Sequence, residues 1–230
     1  MKPGRLLASG RDADIFEYGP RSVLRRSRVS RSLAREARTM DYLASNGYPV
    51  PAVEELSDDG HGLVMERIDG RSMVEALSRA PWTLHRSADT LATLHRRLHE
   101  IPPPDFLQRA PVGEGASLLH LDLHPLNVMI TKTGPVVIDW TNACIGNPDT
   151  DVALAWLLMS AGELPDAGVR HRVLGFGRTV LTNRFLARFD RAAIARELRP
   201  LATWKTTDSH LSDEEIEGVW RAVERGEQQA

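Results

Sequence analysis

The sequence of 230 residues contains one cysteine, Cys144, so no disulfide within the chain is possible, which suits a reducing compartment. Lysine is nearly as scarce. Lys2, Lys132 and Lys205 are the only three among 29 basic residues, so any task that needs an ammonium group has three candidates. Aromatic residues make up 6% of the chain. Long apolar runs are missing: the most apolar stretch, 152–159, falls far short of the roughly 20 residues that span a bilayer. The opening residues 1–14 hold no apolar segment of the signal-peptide kind. An excess of charge is absent as well. The 29 basic and 31 acidic side chains leave a net charge of −2, so no polybasic attraction to nucleic acid or membrane is built in. These absences point to a cytoplasmic chain that binds neither. With 42% hydrophobic and 26% charged residues, the composition is that of a globular protein with a sizeable core.

The apolar pattern divides the chain near Gly70. Ahead of it, short apolar segments at 6–8, 15–18 and 22–26 alternate with small-residue turns and predict strands. Leu33, Ala37, Met40 and Leu43 recur at helical spacing until Asn46-Gly47 stops them. Residues 53–56 and 62–66 predict a second hairpin around Asp58-Asp59-Gly60. Beyond Gly70 the pattern turns helical. Leu84, Ala88, Leu91, Leu94, Leu98 and Ile101 form one apolar face that ends at Pro102-Pro103-Pro104, and 105–117 reads as loop. Short apolar segments follow within 118–131 and at 136–138. Helices are expected over 166–189 and 190–204, and Ser212 with Glu215 makes a capping box for a last one. The expected organisation is α+β in two lobes: a β-rich lobe over 1–69 and a mostly helical lobe over 70–230.

The chemistry concentrates in 118–153, LLHLDLHPLNVMITKTGPVVIDWTNACIGNPDTDVA. Asp122 and Asn127 stand five apart on a proline-containing loop between apolar segments, and Asp139 ends the next strand twelve residues later. A carboxylate, an amide oxygen and a second carboxylate are donors for a hard cation such as Mg²⁺, with phosphate oxygens completing its shell.

This block resembles the aminoglycoside phosphotransferase/choline kinase family, small-molecule kinases with a protein-kinase-like fold. The shared pattern is H-x-D-x-x-x-x-N, a short hairpin, then I-D: here His120, Asp122, Asn127 and Ile138-Asp139, continuing into Gly146-x-Pro148-x-x-Asp151. The resemblance implies an ATP- and Mg²⁺-dependent transfer of phosphate to a hydroxyl of a small molecule. By it, Asp122 is the catalytic base, and Asn127 and Asp139 hold the metal. Ser9, Gly10 and Arg11 form the turn over the phosphates, and Met65, Glu66 and Ile68 border the adenine. Glu36 is the helix glutamate that pairs with a basic residue on the third strand. Asp151 braces the catalytic loop or caps the following helix.

The chain departs from the family pattern in places. Arg25 stands where the family carries a lysine, with Arg26 turned to the other face. The phosphate turn has one glycine, Leu126 replaces a common glycine before the loop asparagine, and Trp140-Thr141 follow Asp139 in place of Phe-Gly. Two other readings compete with the kinase. The missing lysine suits a nucleotide-binding pseudokinase. His120, Asp122 and His124 at strand spacing suit a metal-dependent hydrolase. His95 and His99, four apart on a helix, read as surface or core histidines because no carboxylate stands at motif spacing. No residue pattern identifies the phosphate acceptor.

Overall fold

The computed structural model describes residues 2–10, 12–29, 31–161, 169–207 and 212–228, with the main chain alone at 161, 169–174 and 215. Contacts divide the chain into two compact units: Met1–Gly70 with Met129–Ala143, and Arg71–Val128 with Cys144–Ala230.

The first unit opens with three antiparallel strands, β1 (Leu6–Ser9), β2 (Ala13–Glu17) and β3 (Ser22–Ser27). Helix α1 (Ala34–Ser45) follows, then β4 (Val53–Leu56) and β5 (Gly62–Glu66). The sheet order is β1-β2-β3-β5-β4, so β5 lies beside β3 and leaves β4 at the edge. The helix forms where Ala37, Met40 and Leu43 recur every third or fourth residue, and these side chains are buried. It ends at Gly47, whose φ of +71° needs a residue without a side chain. The expected strands and helix of this region are present, with ends displaced by a residue or two.

In the second unit, β6 (Arg71–Ser72) runs into α2 (Met73–Arg79), whose first turn is capped by the Ser72 hydroxyl accepting the Glu75 N–H at 3.2 Å. Helix α3 (Leu84–His99) buries Ala88, Leu91, Leu94, His95 and Leu98 along one face. Strand β7 (Ser117–Leu119) precedes the loop that carries Asp122 and Asn127. Strands β8 (Val128–Ile130) and β9 (Pro135–Val137) follow, and apart from Val128 they belong to the first unit. The chain then re-enters the second unit at β10 (Cys144–Gly146), which pairs antiparallel with β7. The helices α4 (Pro148–Ala161), α5 (Val169–Leu186), α6 (Arg191–Lys205) and α7 (Asp213–Gln228) complete it. Helix α4 packs against the other three, and every residue from Val152 to Leu157 is buried. A helix covered on all sides needs no polar stripe. Its uninterrupted apolar run is therefore interior helix, and none of the described helices is long and apolar enough to cross a membrane. The expected start of α5 at Asp166 and the Glu215 side chain of the expected capping box lie outside the described residues.

The β7–β10 pair depends on close backbone approach at Gly115, where an added Cβ would stand 2.5 Å from the Asn147 nitrogen. Backbone atoms cannot swing aside as a side-chain tip can. Gly115→Ala is expected to lower stability by about 1–3 kcal/mol, the usual range for overpacking. Gly177→Ala, inside α5 with Leu84 Cδ1 at a comfortable 3.8 Å, is expected to raise it by up to about 1 kcal/mol through helix propensity. Urea denaturation of the two variants checks both signs.

Candidate functional site

Strand β3 places Arg25 opposite Ile15 and Leu63, in the middle of the sheet. Its side chain is buried and turned toward α1 and the turn after β9. Nε stands 3.3 Å from Glu36 Oε1, and Nη2 donates to Asp139 Oδ1 at 3.1 Å and to Thr141 Oγ1 at 2.9 Å. The Thr141 hydroxyl lies 3.2 Å from Glu36 Oε2 and 2.9 Å from Asp139 Oδ1, so it has a choice of two carboxylate acceptors. Burial pushes the Glu36 carboxyl up. The Arg25 charge pulls it back, the Asp139 charge raises it further, and the net direction is upward. Arg26, the next residue, points away and pairs with Asp59 at 2.9 Å on the exposed side.

Asp139 has φ +64° and ψ +69°, the left-handed region, which Asp tolerates better than most residues. The turn is pinned by its neighbour. Trp140 is buried, its indole N–H donates to the Val137 carbonyl at 3.1 Å, and its ring meets Tyr48 edge-on at 5.6 Å. Asp139 Oδ1 is thus occupied by Arg25 and Thr141, while Oδ2 carries no hydrogen bond among the described residues.

In the second unit the loop after β7 holds Asp122 by both oxygens. Asn127 Nδ2 donates to Oδ2 and to the Asp122 carbonyl, each at 2.9 Å. His124 Nε2 stands 3.4 Å from Oδ1. The Leu126 N–H donates to His124 Nδ1 at 3.3 Å, which leaves the ring hydrogen on Nε2, facing Asp122. Burial raises the Asp122 carboxyl. The His124 hydrogen bond, the electrostatic influence of the His124 and His120 imidazoles and the Asn127 amide outweigh it, and the carboxyl stays below its ordinary value. Asn127 spends its NH₂ group on Asp122, so its amide oxygen remains for another ligand.

The loop itself is held from below by Asp151, at the start of α4. Its Oδ1 accepts the Leu121 N–H at 2.8 Å, and its Oδ2 accepts the His120 N–H at 3.2 Å and lies 3.0 Å from His99 Nε2. Leu121 is held at φ +53°, a conformation that costs a side-chain-bearing residue of order 1–3 kcal/mol. Burial alone would raise Asp151; the His99 hydrogen bond and the electrostatic influence of the neighbouring imidazoles drive it well below the ordinary carboxylate value.

The remaining sequence-predicted residues are placed as follows. At the β1–β2 turn, Gly10 N–H donates to the Ala13 carbonyl at 2.9 Å and Ser9 Oγ to Asp14 at 2.6 Å. Arg28 reaches over this turn to the Gly10 carbonyl at 3.0 Å. Arg11 lies outside the described residues. Met65 is half-buried at the end of β5, Glu66 Oε2 accepts the Ala52 N–H at 3.2 Å, and Ile68 follows half-buried. Of the expected histidine set, His120 is fully buried and His124 faces Asp122. Among the described residues that set does not gather with ligand spacing; His95, His99 and Asp151 do. Sequence reasoning missed Thr141, Arg28 and the His99–Asp151 link. Only the last left a trace, in the unexplained His95/His99 spacing.

A family model described as the phosphotransferase enzyme family (APH) matches residues 4–116 and 105–204. No curated protein matches the chain. Among solved structures, a choline/ethanolamine kinase family protein from Mesorhizobium loti is 15% identical, with TM-score 0.63, 98% of this chain and 88% of that one covered. A thermostable mutant of aminoglycoside phosphotransferase APH(4)-Ia, in ternary complex with AMP-PNP and hygromycin B, is 14% identical with TM-score 0.65, covering 97% and 91%. Amicoumacin kinase hAmiN, in complex with AMP-PNP, Ca²⁺ and Ami, is 15% identical with TM-score 0.56, covering 98% and 88%. At these identities the likeness is one of fold, and the fold is α+β and protein-kinase-like.

Arg25 and Arg26 differ in what their loss exposes. Arg25→Ala leaves Glu36 buried beside Asp139 without its paired guanidinium, and removing one partner of a buried pair costs about 3–5 kcal/mol. Arg26→Ala loses an exposed pair of little worth. A large drop in thermal stability for Arg25→Ala and almost none for Arg26→Ala is the expected outcome. The reverse order would place the wrong arginine in the interior.

Proposed function

We propose, for a chain that belongs to the phosphotransferase enzyme family and is a small-molecule kinase, that it moves the γ-phosphate of ATP to a hydroxyl with Asp122 as catalytic base. The observation that carries the reading is the Asp122 carboxylate, held ionised by donors on both oxygens. AMP-PNP bound to two proteins of the same fold supports a nucleoside triphosphate as donor.

In this reading the acceptor hydroxyl donates its hydrogen bond to Asp122 and passes its proton there as the new O–P bond forms and ADP departs. Asn127 and His124 keep the carboxylate from rotating, so the acceptor oxygen meets the phosphorus in line. Positioning of this kind supplies much of the catalysis in phosphoryl transfer. Among the described residues Asn127 Oδ1 and Asp139 Oδ2 carry no hydrogen bond, and both are oxygen donors of the kind Mg²⁺ takes. When bound, that ion neutralises phosphate charge. Arg25 takes the place of the family lysine, with Glu36 and Thr141 fixing its guanidinium. Ser9, Gly10 and Arg11 border the phosphates, and Met65, Glu66 and Ile68 the adenine. Residues 1–69 then serve as the nucleotide lobe and 70–230 carry the catalytic loop and the acceptor site.

Asp122→Asn is expected to lower kcat by ~10²–10⁴, the usual worth of a general base, with nucleotide affinity little changed. Near-wild-type turnover in a coupled assay of ADP release would remove Asp122 from the mechanism. Because the carboxyl lies below its ordinary pKa, kcat/KM should show no acid limb from Asp122 above about pH 4. A limb between pH 5 and 7 that disappears in Asp122→Asn would contradict the assignment. Asp139→Ala should abolish the Mg²⁺-dependent part of ATP binding, measured by calorimetry with and without the ion. Arg25→Ala should reduce kcat/KM for ATP roughly ten- to hundredfold, as for loss of a charged hydrogen bond, assayed below its melting temperature.

A further inference from the structure

We infer that His95, His99 and Asp151 form a buried site for a Zn²⁺-like ion, separate from the Mg²⁺ of phosphoryl transfer. The inference stands on the second unit alone and does not depend on which nucleotide the protein uses.

The starting point is a lone pair in the wrong place. His95 is wholly buried, packed against Phe185 and Phe189 at ring distances of 5.2 and 6.3 Å. Its Nε2 lies 3.1 Å from the Leu123 carbonyl oxygen. A carbonyl can only accept, so Nε2 carries the hydrogen, and Nδ1 of the neutral ring presents a lone pair. Among the described residues that nitrogen has no hydrogen-bond partner. It faces Asp151 Oδ2 at 3.7 Å. A lone pair set against a carboxylate in a water-poor interior is repulsive unless positive charge lies between them. A metal cation placed between them supplies that charge, and a neutral imidazole nitrogen and a carboxylate oxygen are both ordinary ligands for one.

The surroundings fit one. His99 Nε2 stands 3.0 Å from the same Asp151 oxygen, and the three donor atoms lie within 4.8 Å of one another. A tetrahedral zinc with bonds of 2.0–2.1 Å holds neighbouring ligand atoms roughly 3.3 Å apart; the distances of 3.0 and 3.7 Å fall on either side. The two histidines are four apart on α3, the spacing that puts two imidazoles on one helix face. The outer N–H of His95 is taken by a backbone carbonyl, as is usual for a metal-bound imidazole. Asp151 Oδ1 is likewise held, by the Leu121 N–H at 2.8 Å. Two imidazole nitrogens and one carboxylate favour Zn²⁺ or Co²⁺ over Mg²⁺. Such an ion would tie α3 to α4 and, through Asp151, fix the main chain at His120 and Leu121 just ahead of Asp122. Its role is to hold the loop, not to touch substrate.

The test uses the full chain, stripped with a chelator, dialysed and titrated with ZnCl₂ in excess Mg²⁺. Bound metal is measured by mass spectrometry, and Co²⁺ substitution by visible absorption. One zinc per chain, an intense tetrahedral-type cobalt band and a rise in Tm on adding zinc are expected. His95→Phe, which keeps an aromatic ring against Phe185, and His99→Gln, which can still donate to Asp151, should each weaken zinc binding at least tenfold while circular dichroism shows the fold retained. A wild-type chain that takes up no stoichiometric zinc overturns the inference whatever the variants do, and leaves Asp151 with its hydrogen bonds alone. Zinc bound equally well by His95→Phe overturns it too, since the ion then sits elsewhere.

Discussion

The Asp151 carboxylate is the constraint on which the helical unit depends. It is buried at the start of α4, where an unpaired charge would cost several kcal/mol, and it is accommodated because two backbone N–H groups and His99 converge on it. Those same N–H groups belong to His120 and Leu121. The bonds that satisfy the buried charge therefore also hold Leu121 in its left-handed conformation and set the direction in which the chain leaves toward Asp122. Packing acts on the same group. Helix α4 is apolar on every side from Val152 to Leu157, so it has one position in the unit and carries Asp151 to it.

The first unit solves a related problem with fewer donors. Glu36 is buried on α1 with the Arg25 guanidinium and a shared hydroxyl beside it and the Arg31 charge acting on it as well, while Asp139 adds a like charge nearby. The arrangement works because Arg25 is rigidly presented from the centre of the sheet and its planar fork reaches Glu36, Asp139 and Thr141 together. A lysine at this position would offer a point charge to one of them at a time. The arginine and Thr141 belong together in this sense, since the hydroxyl fills the hydrogen-bonding space between two carboxylates that the guanidinium alone cannot fill.

Much of this was legible in the residues. The strands of the first unit and α1 follow from alternation, turn residues and helical spacing, all local signals. The phosphotransferase family is legible because its motif is compact: Asp122, Asn127 and Asp139 lie within a span of eighteen residues. The three-residue strands β7 and β10 were not, because such short segments have no period and become strands only by pairing with one another. The support of the loop was out of reach for a different reason. His99 and Asp151 are 52 positions apart, and nothing in the sequence says that the end of α3 meets the start of α4. The histidine spacing on α3 carries no meaning by itself, because the carboxylate that completes it comes from another helix. Thr141 carried no signal at all; a threonine after a tryptophan is ordinary until Arg25 and two carboxylates surround it.

The two buried carboxylates show that the count of donors, not burial, decides the sign of a shift. Desolvation is the largest influence on both and raises both. Asp151 nevertheless ends far below its ordinary value and Glu36 above it, since Asp151 gathers imidazoles and N–H groups while Glu36 shares its cation with Asp139. Their contributions to stability then run in opposite directions with pH. The depressed Asp151 stabilises the fold above the ordinary carboxylate pKa of about 4, and that contribution is lost as pH falls through its lower folded value. The raised Glu36 contributes most below the ordinary value of about 4.3, and its contribution is lost as pH rises through the higher folded one. The downward shift of Asp151 thus reflects the N–H groups and His99 gathered on it, whereas the upward shift of Glu36 marks a carboxyl whose neighbours only partly offset its burial.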